Sequence, residues 1–124
     1  MVSAVSTQQL SLCYGDYVAL QSLSLNVEEG EIFGFLGHNG AGKTTTINIL
    51  TTLLAPTSGR ASVCGHDVES DNMEVRQIIG YVPENVRLYE GLSSFDNLMF
   101  FAKLSGVSEP TKRIAETLEF LEAL

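Results

Sequence analysis

The chain is 124 residues long, enough for one domain at most; 44 % of its residues are hydrophobic and 18 % charged, with no low-complexity tract or internal repeat. A net charge of −8 argues against a nucleic-acid surface, which gathers Lys and Arg. The N-terminus lacks the basic and apolar regions of a signal peptide, and no apolar run reaches the roughly 18 residues needed to cross a membrane. Cys13 and Cys64, with no C-x-x-C spacing, read as reduced structural thiols of a cytosolic protein.

Residues 5–27 read as antiparallel-type strands. Leu23, Leu25 and Val27 alternate with Ser24 and Asn26, the period-2 pattern of a half-buried strand. Glu28-Glu29-Gly30 is a turn, and Ile32-Phe33-Gly34-Phe35-Leu36 is a continuous apolar run, predicting a strand buried on both faces. Directly after it stands Gly37-His38-Asn39-Gly40-Ala41-Gly42-Lys43-Thr44, which fits G-x-x-x-x-G-K-S/T. Its glycines let the backbone approach an anion without Cβ clashes, and the helix after it points its positive end at the same place. Lys43 is placed to reach the β- and γ-phosphates of a nucleotide, and the Thr44 hydroxyl to hold Mg²⁺. A shuffled chain of this composition would produce the motif only about four times in a thousand. Lys43 is also the only basic residue before position 60, so a phosphate site there rests on one lysine, a helix end and backbone amides.

The helix from about Lys43 to Leu54 has Ile47, Leu50 and Leu54 spaced to share a face, and Ala55-Pro56-Thr57-Ser58-Gly59 stops it. Arg60 to Gly65 reads as another strand, Asn72 to Ile79 as a short helix, and Tyr81-Val82 as a strand ended by Pro83. Ser93 and Asp96 have capping-box spacing and open a helix to about Leu104, in which Phe95, Leu98, Met99 and Ala102 form a stripe read as core. Gly106 stops that helix, and Ser108 caps a last one with Ile114, Leu118 and Leu121 on one face.

These segments together resemble the ATP-binding domain of ATP-binding cassette (ABC) transporters. The passage Val27 to Thr45 resembles the family's approach to its phosphate loop; Leu54 to Gly59 and Val63 to Val68 are similar to the family's segment just after that loop. Ile79-Gly80-Tyr81-Val82-Pro83-Glu84 resembles the strand into the Q-loop, and Leu92-Ser93, Asn97-Leu98 and Phe100-Phe101-Ala102 the start of the helical subdomain. The wording is nearest to drug or lipid exporters. The resemblance implies an α/β fold: a P-loop NTPase core with a parallel sheet, an N-terminal antiparallel β-subdomain and the beginning of a helical subdomain. It divides the chain at 1–30, 31–90 and 91–124. It implies ATP and Mg²⁺ as cofactors, a transmembrane permease and a second ATP-binding domain as partners, no nucleic acid, and a place at the cytoplasmic face of the membrane. It places Tyr14 on the adenine ring, Gly37, His38, Asn39, Gly40, Ala41, Gly42 and Lys43 around the phosphates, Thr45 on the α-phosphate, and Thr44 and Glu84 at Mg²⁺. Glu84 departs from the pattern, which has glutamine there; a carboxylate can ligate Mg²⁺ but cannot donate as an amide does.

The 124 residues contain no apolar strand ending in Asp-Glu and no L-S-G-G-Q signature; Leu104-Ser105-Gly106 is followed by Val107 and reads as a helix stop. His38 and His66 have no catalytic or metal-ligand spacing around them. The expectation is therefore the truncated N-terminal part of a cassette, a little over half of one, with no catalytic residue of its own. The alternatives are a P-loop NTPase that moves no solute, an ABC-type ATPase of DNA repair or translation, and a non-catalytic truncated product. A GTPase would want N-K-x-D, which is absent.

Overall fold

The computed structural model describes residues 2–38 and 40–124. The chain forms two compact units, one ending at Tyr81 and the other beginning at Val82.

The first unit is built on a long hairpin. Strand β1 (Ser3–Tyr14) and strand β2 (Tyr17–Glu28) turn through Gly15-Asp16 and pair antiparallel from Tyr14↔Tyr17 back to Ser3↔Glu28. Irregularities in register interrupt the pairing, which is why the sequence shows clean alternation only over Leu23 to Val27. Strand β3 (Ser58–Val63) pairs antiparallel with the other edge of β1, and the short β4 (His66–Asp67) pairs with β3. The sheet order is thus β2-β1-β3-β4, and the strand expected at Arg60 to Gly65 joins the N-terminal antiparallel sheet.

Helix α1 (Lys43–Leu50) and helix α2 (Asn72–Ile78) belong to the same unit. Leu10, Leu12 and Leu20 from the hairpin, Ala61 and Val63 from β3, and Ile49, Val68 and Val75 make one core. The buried face of α1 is Thr46 and Ile49, not the expected Ile47, Leu50 and Leu54, of which Leu50 and Leu54 pack only at the margin of the core. Thr46 tolerates burial because its Oγ1 donates to the Gly42 carbonyl at 2.7 Å, which removes the polar penalty. After β4, the backbone N–H groups of Glu69 and Ser70 donate to the Asp67 carboxylate at 2.8 and 3.1 Å, and they hold its pKa below the ordinary 3.8.

Ile32–Leu36 is not a strand. A strand needs a neighbour within about 5 Å to take its N–H and C=O groups, and every described pairing of the sheet is taken up among β1 to β4. The apolar run consequently faces solvent, with Ile32 101 % and Leu36 92 % exposed. Tyr81-Val82 is likewise unpaired. Cys13 and Cys64 are free thiols as expected, but both are exposed, so neither is a packing residue.

The second unit holds helix α3 (Ser94–Leu104) and helix α4 (Pro110–Glu122). Ser93 caps α3 as its spacing predicts, accepting from the Asp96 N–H at 3.1 Å. Gly106 ends it in a Schellman arrangement: Val107 N–H donates to the Ala102 carbonyl at 3.0 Å and Gly106 N–H to Lys103 at 3.2 Å. Helix α4 begins one residue later than expected, after Glu109, because Pro110 fits the first helical position. Of the α3 stripe read as core, Leu98 is exposed and Phe95, Met99 and Ala102 are half-buried; on the expected face of α4, Ile114 is buried, Leu118 half-buried and Leu121 exposed. The buried residue of α3 is Asn97.

Candidate functional site

The site forms where the phosphate loop meets the tip of the hairpin. Gly42 caps α1 at φ +96°, a backbone conformation that L side chains rarely adopt. A Cβ there would stand 3.0 Å from the Ala19 carbonyl oxygen and 2.9 Å from Leu20 Cδ1, so glycine lets the loop lie directly against β2. No side chain caps α1, and its first turn carries no acid. Its leading amides and its positive end are therefore available to an anion. The Thr46 N–H donates to the Gly42 carbonyl at 2.9 Å and the Ala41 N–H to His38 at 3.1 Å, fixing the loop's entry into the helix. Lys43 Nζ donates to the Gly37 carbonyl across the loop.

Tyr14, Tyr17, Ala19, Gly40, Gly42, Lys43, Thr44 and Thr45 line one cleft of about 340 Å³. Tyr14, inferred from the sequence on resemblance alone, shares this cleft with the loop, and so do Thr44 and Thr45. Gly37 meets it through the Lys43 contact. His38 and Ala41 are exposed in the same loop, and Asn39 lies outside the described residues. Glu84 is exposed in the second unit. The sequence pattern gives no sign of Tyr17. Only the hairpin register, which pairs it directly with Tyr14, reveals it.

Among the described residues no three His, Cys, Asp or Glu side chains cluster as a metal site. That suits Mg²⁺ carried on phosphates, which takes one or two protein oxygens and keeps water for the rest.

Comparison with known proteins fits this geometry. The pattern of the ABC transporter family matches residues 20–124. The chain belongs to that family. The human "Phospholipid-transporting ATPase ABCA3" is 39 % identical over 112 residues, covering 87 % of this chain and 7 % of that protein. The linearmycin resistance ATP-binding protein LnrL of Bacillus subtilis (strain 168) is 36 % identical over 119 residues, covering 94 % of this chain and 38 % of the relative. A solved ATP-binding cassette, a dimer in a post-hydrolysis state bound to ADP and Pi, superposes with TM-score 0.74 at 27 % identity over 95 % of this chain and 57 % of its own. This ABC chain thus spans well under two thirds of each of these relatives. Among its described residues no helix is long and apolar enough to cross a membrane.

Proposed function

We propose that this ABC-family chain binds MgATP in the cleft between the hairpin tip and the phosphate loop, as the nucleotide-binding part of an exporter-type ABC ATPase. The observation that carries the reading is the single cleft shared by Tyr14 and residues Gly40 to Thr45. In it, the loop amides and the start of α1 take the phosphates. Lys43 exchanges its bond to the Gly37 carbonyl for the β- and γ-phosphate oxygens, a stronger charge-assisted contact. The Thr44 hydroxyl holds Mg²⁺ together with those phosphates, Thr45 meets the α-phosphate, and Tyr14 stacks on the adenine. Glu84 is assigned to the same metal on the family resemblance alone.

Phosphoryl transfer consists mainly of positioning and charge stabilisation. These residues supply the positioning; none of them is placed to polarise the attacking water, so the 124 residues on their own hold ATP without turning it over. In the whole protein, two such domains would close on ATP at the cytoplasmic face of a membrane and drive a permease partner. Transport of a lipid- or drug-like solute outward is supported by the relatives, one a phospholipid-transporting ATPase and another a linearmycin resistance ATP-binding protein.

Lys43→Ala tests the binding step. A hydrogen bond to a charged group contributes about 1.5–3 kcal/mol, so the variant should bind MgATP about 10- to 150-fold more weakly by calorimetry. Equal affinity in the two proteins would refute the assignment, because Lys43 is the only basic residue in this part of the chain.

A further inference from the structure

The segment Ala55-Pro56-Thr57-Ser58-Gly59, read from the sequence as a helix stop, does a second thing in the fold. It follows α1, whose first residues Lys43, Thr44 and Thr45 line the nucleotide cleft, and returns along β1. There the Thr57 N–H donates to the Ser11 carbonyl at 2.9 Å, and the Thr57 Oγ1 accepts from the Cys13 N–H at 2.9 Å. Strand β3 begins at Ser58, which pairs with Ser11, so its backbone ladder stops short of the hairpin tip. Pro56 has no N–H and cannot carry that ladder on. The Thr57 hydroxyl instead supplies the acceptor for Cys13, the residue next to Tyr14. On the opposite edge Tyr14 pairs with Tyr17, the last rung before the turn. Thr57 is exposed, so packing does not account for it; its two bonds to β1 do.

We infer that Thr57 is a positioning residue for Tyr14: by holding the Cys13 N–H it fixes the end of β1, and so keeps the Tyr14 side of the cleft in place against the phosphate loop. This rests on the nucleotide-binding reading above and goes beyond it by naming a residue that acts through β1 rather than on the ligand. Hairpin ends open easily when their backbone groups are exposed and unpaired. A tip already held loses less freedom when a ligand closes on it, which raises affinity without any new contact. The role demands a hydroxyl. The side chain must accept a bond at short reach, which serine also does and the similarly shaped valine does not. Only residues 51–56 separate α1 from Thr57, so the same residue links the phosphate helix to the other wall of the cleft.

The test is calorimetry on the full chain with MgATP and with inorganic triphosphate plus Mg²⁺. The proteins are wild type, Thr57→Val, Thr57→Ser, Tyr14→Ala, the double variant Tyr14→Ala with Thr57→Val, and Lys43→Ala. A neutral hydrogen bond corresponds to about 2- to 10-fold in affinity when its whole effect reaches the site. Thr57→Val should weaken MgATP within that range and leave triphosphate unchanged, while Thr57→Ser stays near wild type. In the Tyr14→Ala background, Thr57→Val should have no further effect on MgATP. Equal loss for triphosphate would mean that Thr57 only supports α1 and its loop, and would overturn the inference. Undiminished MgATP binding by Thr57→Val, an equal loss in Thr57→Ser, or additive losses in the double variant would overturn it too. If Lys43→Ala also bound MgATP normally, the nucleotide reading itself would fall, which separates the two failures. Should Thr57→Val not fold, amide hydrogen exchange on wild type decides. The Cys13 N–H should be protected in the free chain, and protected further by MgATP than by triphosphate. Equal protection by the two ligands, or none in the free chain, would overturn the inference equally.

Discussion

Gly59→Ala should destabilise the first unit more than any other glycine-to-alanine change in it. Gly59 lies in β3 at φ +81°, where an added Cβ would stand 2.2 Å from the Gln9 carbonyl oxygen, 2.5 Å from the Gln9 carbonyl carbon and 2.7 Å from the Gln8 oxygen. All three are backbone atoms of β1, and β1 is held between β2 and β3. It cannot retreat without breaking one ladder or the other. The left-handed conformation alone costs a non-glycine residue about 1–2 kcal/mol. With the displacement of a central strand, the total should reach about 3 kcal/mol or more, among the larger effects of single substitutions. Urea unfolding followed by circular dichroism should show a midpoint far below wild type. Gly34→Ala is the matched control, since a Cβ there meets nothing within 4 Å. Equal midpoints for the two variants would contradict the register of β1 and β3.

The second large effect is expected at Asn97. Its Oδ1 accepts from the Tyr89 N–H at 2.8 Å, and its Nδ2 donates to the carbonyls of Tyr89, Ser93 and Leu92 at 3.1, 3.0 and 3.3 Å. One buried amide thus ties residues 89–93 to the first turn of α3. Asn97→Leu keeps the volume and removes every bond. Each buried group left unpaired costs about 1–3 kcal/mol, so the loss should be about 3 kcal/mol. Trypsin should then cut after Arg87, just before the released segment, at least about tenfold faster than in wild type. Asn97→Asp preserves the acceptor for Tyr89 but sets a carboxylate against three carbonyls. It should be nearly as damaging, and a protease-resistant Asn97→Asp protein would show that the donor side of the amide does not hold the segment.

The local chemistry of this molecule was legible where one residue type has one physical use. Ser93 caps, Gly106 closes α3, and the glycine–lysine loop enters a helix, because each feature satisfies its own backbone neighbours. Features that depend on distant partners were less visible. Ile32 to Leu36 has the composition of a buried strand, yet pairing is a property of two segments, and no described segment takes the other side. Periodicity misassigned α1 because an eight-residue helix has little more than two turns to average over, and because a threonine bonded to its own helix can be buried. Asn97 is hidden for the same reason: a polar residue inside an apolar stripe looks like its solvent side until its four bonds are seen. Tyr17 needed the register of the hairpin. Only that pairing turns a tyrosine three residues after Tyr14 into its neighbour on one face.

The central claim is that nucleotide binds in the cleft between the phosphate loop and the hairpin tip. Its most direct test is an NMR titration of the labelled chain with MgATP, following backbone amides and tyrosine ring resonances together. The amides of Gly40, Gly42, Lys43, Thr44 and Thr45 should shift, with the rings of Tyr14 and Tyr17. Inorganic triphosphate should reproduce the amide shifts without the ring shifts. Saturating MgATP that leaves the Gly40–Thr45 amides unmoved, or moves them without the tyrosine rings, would contradict the account.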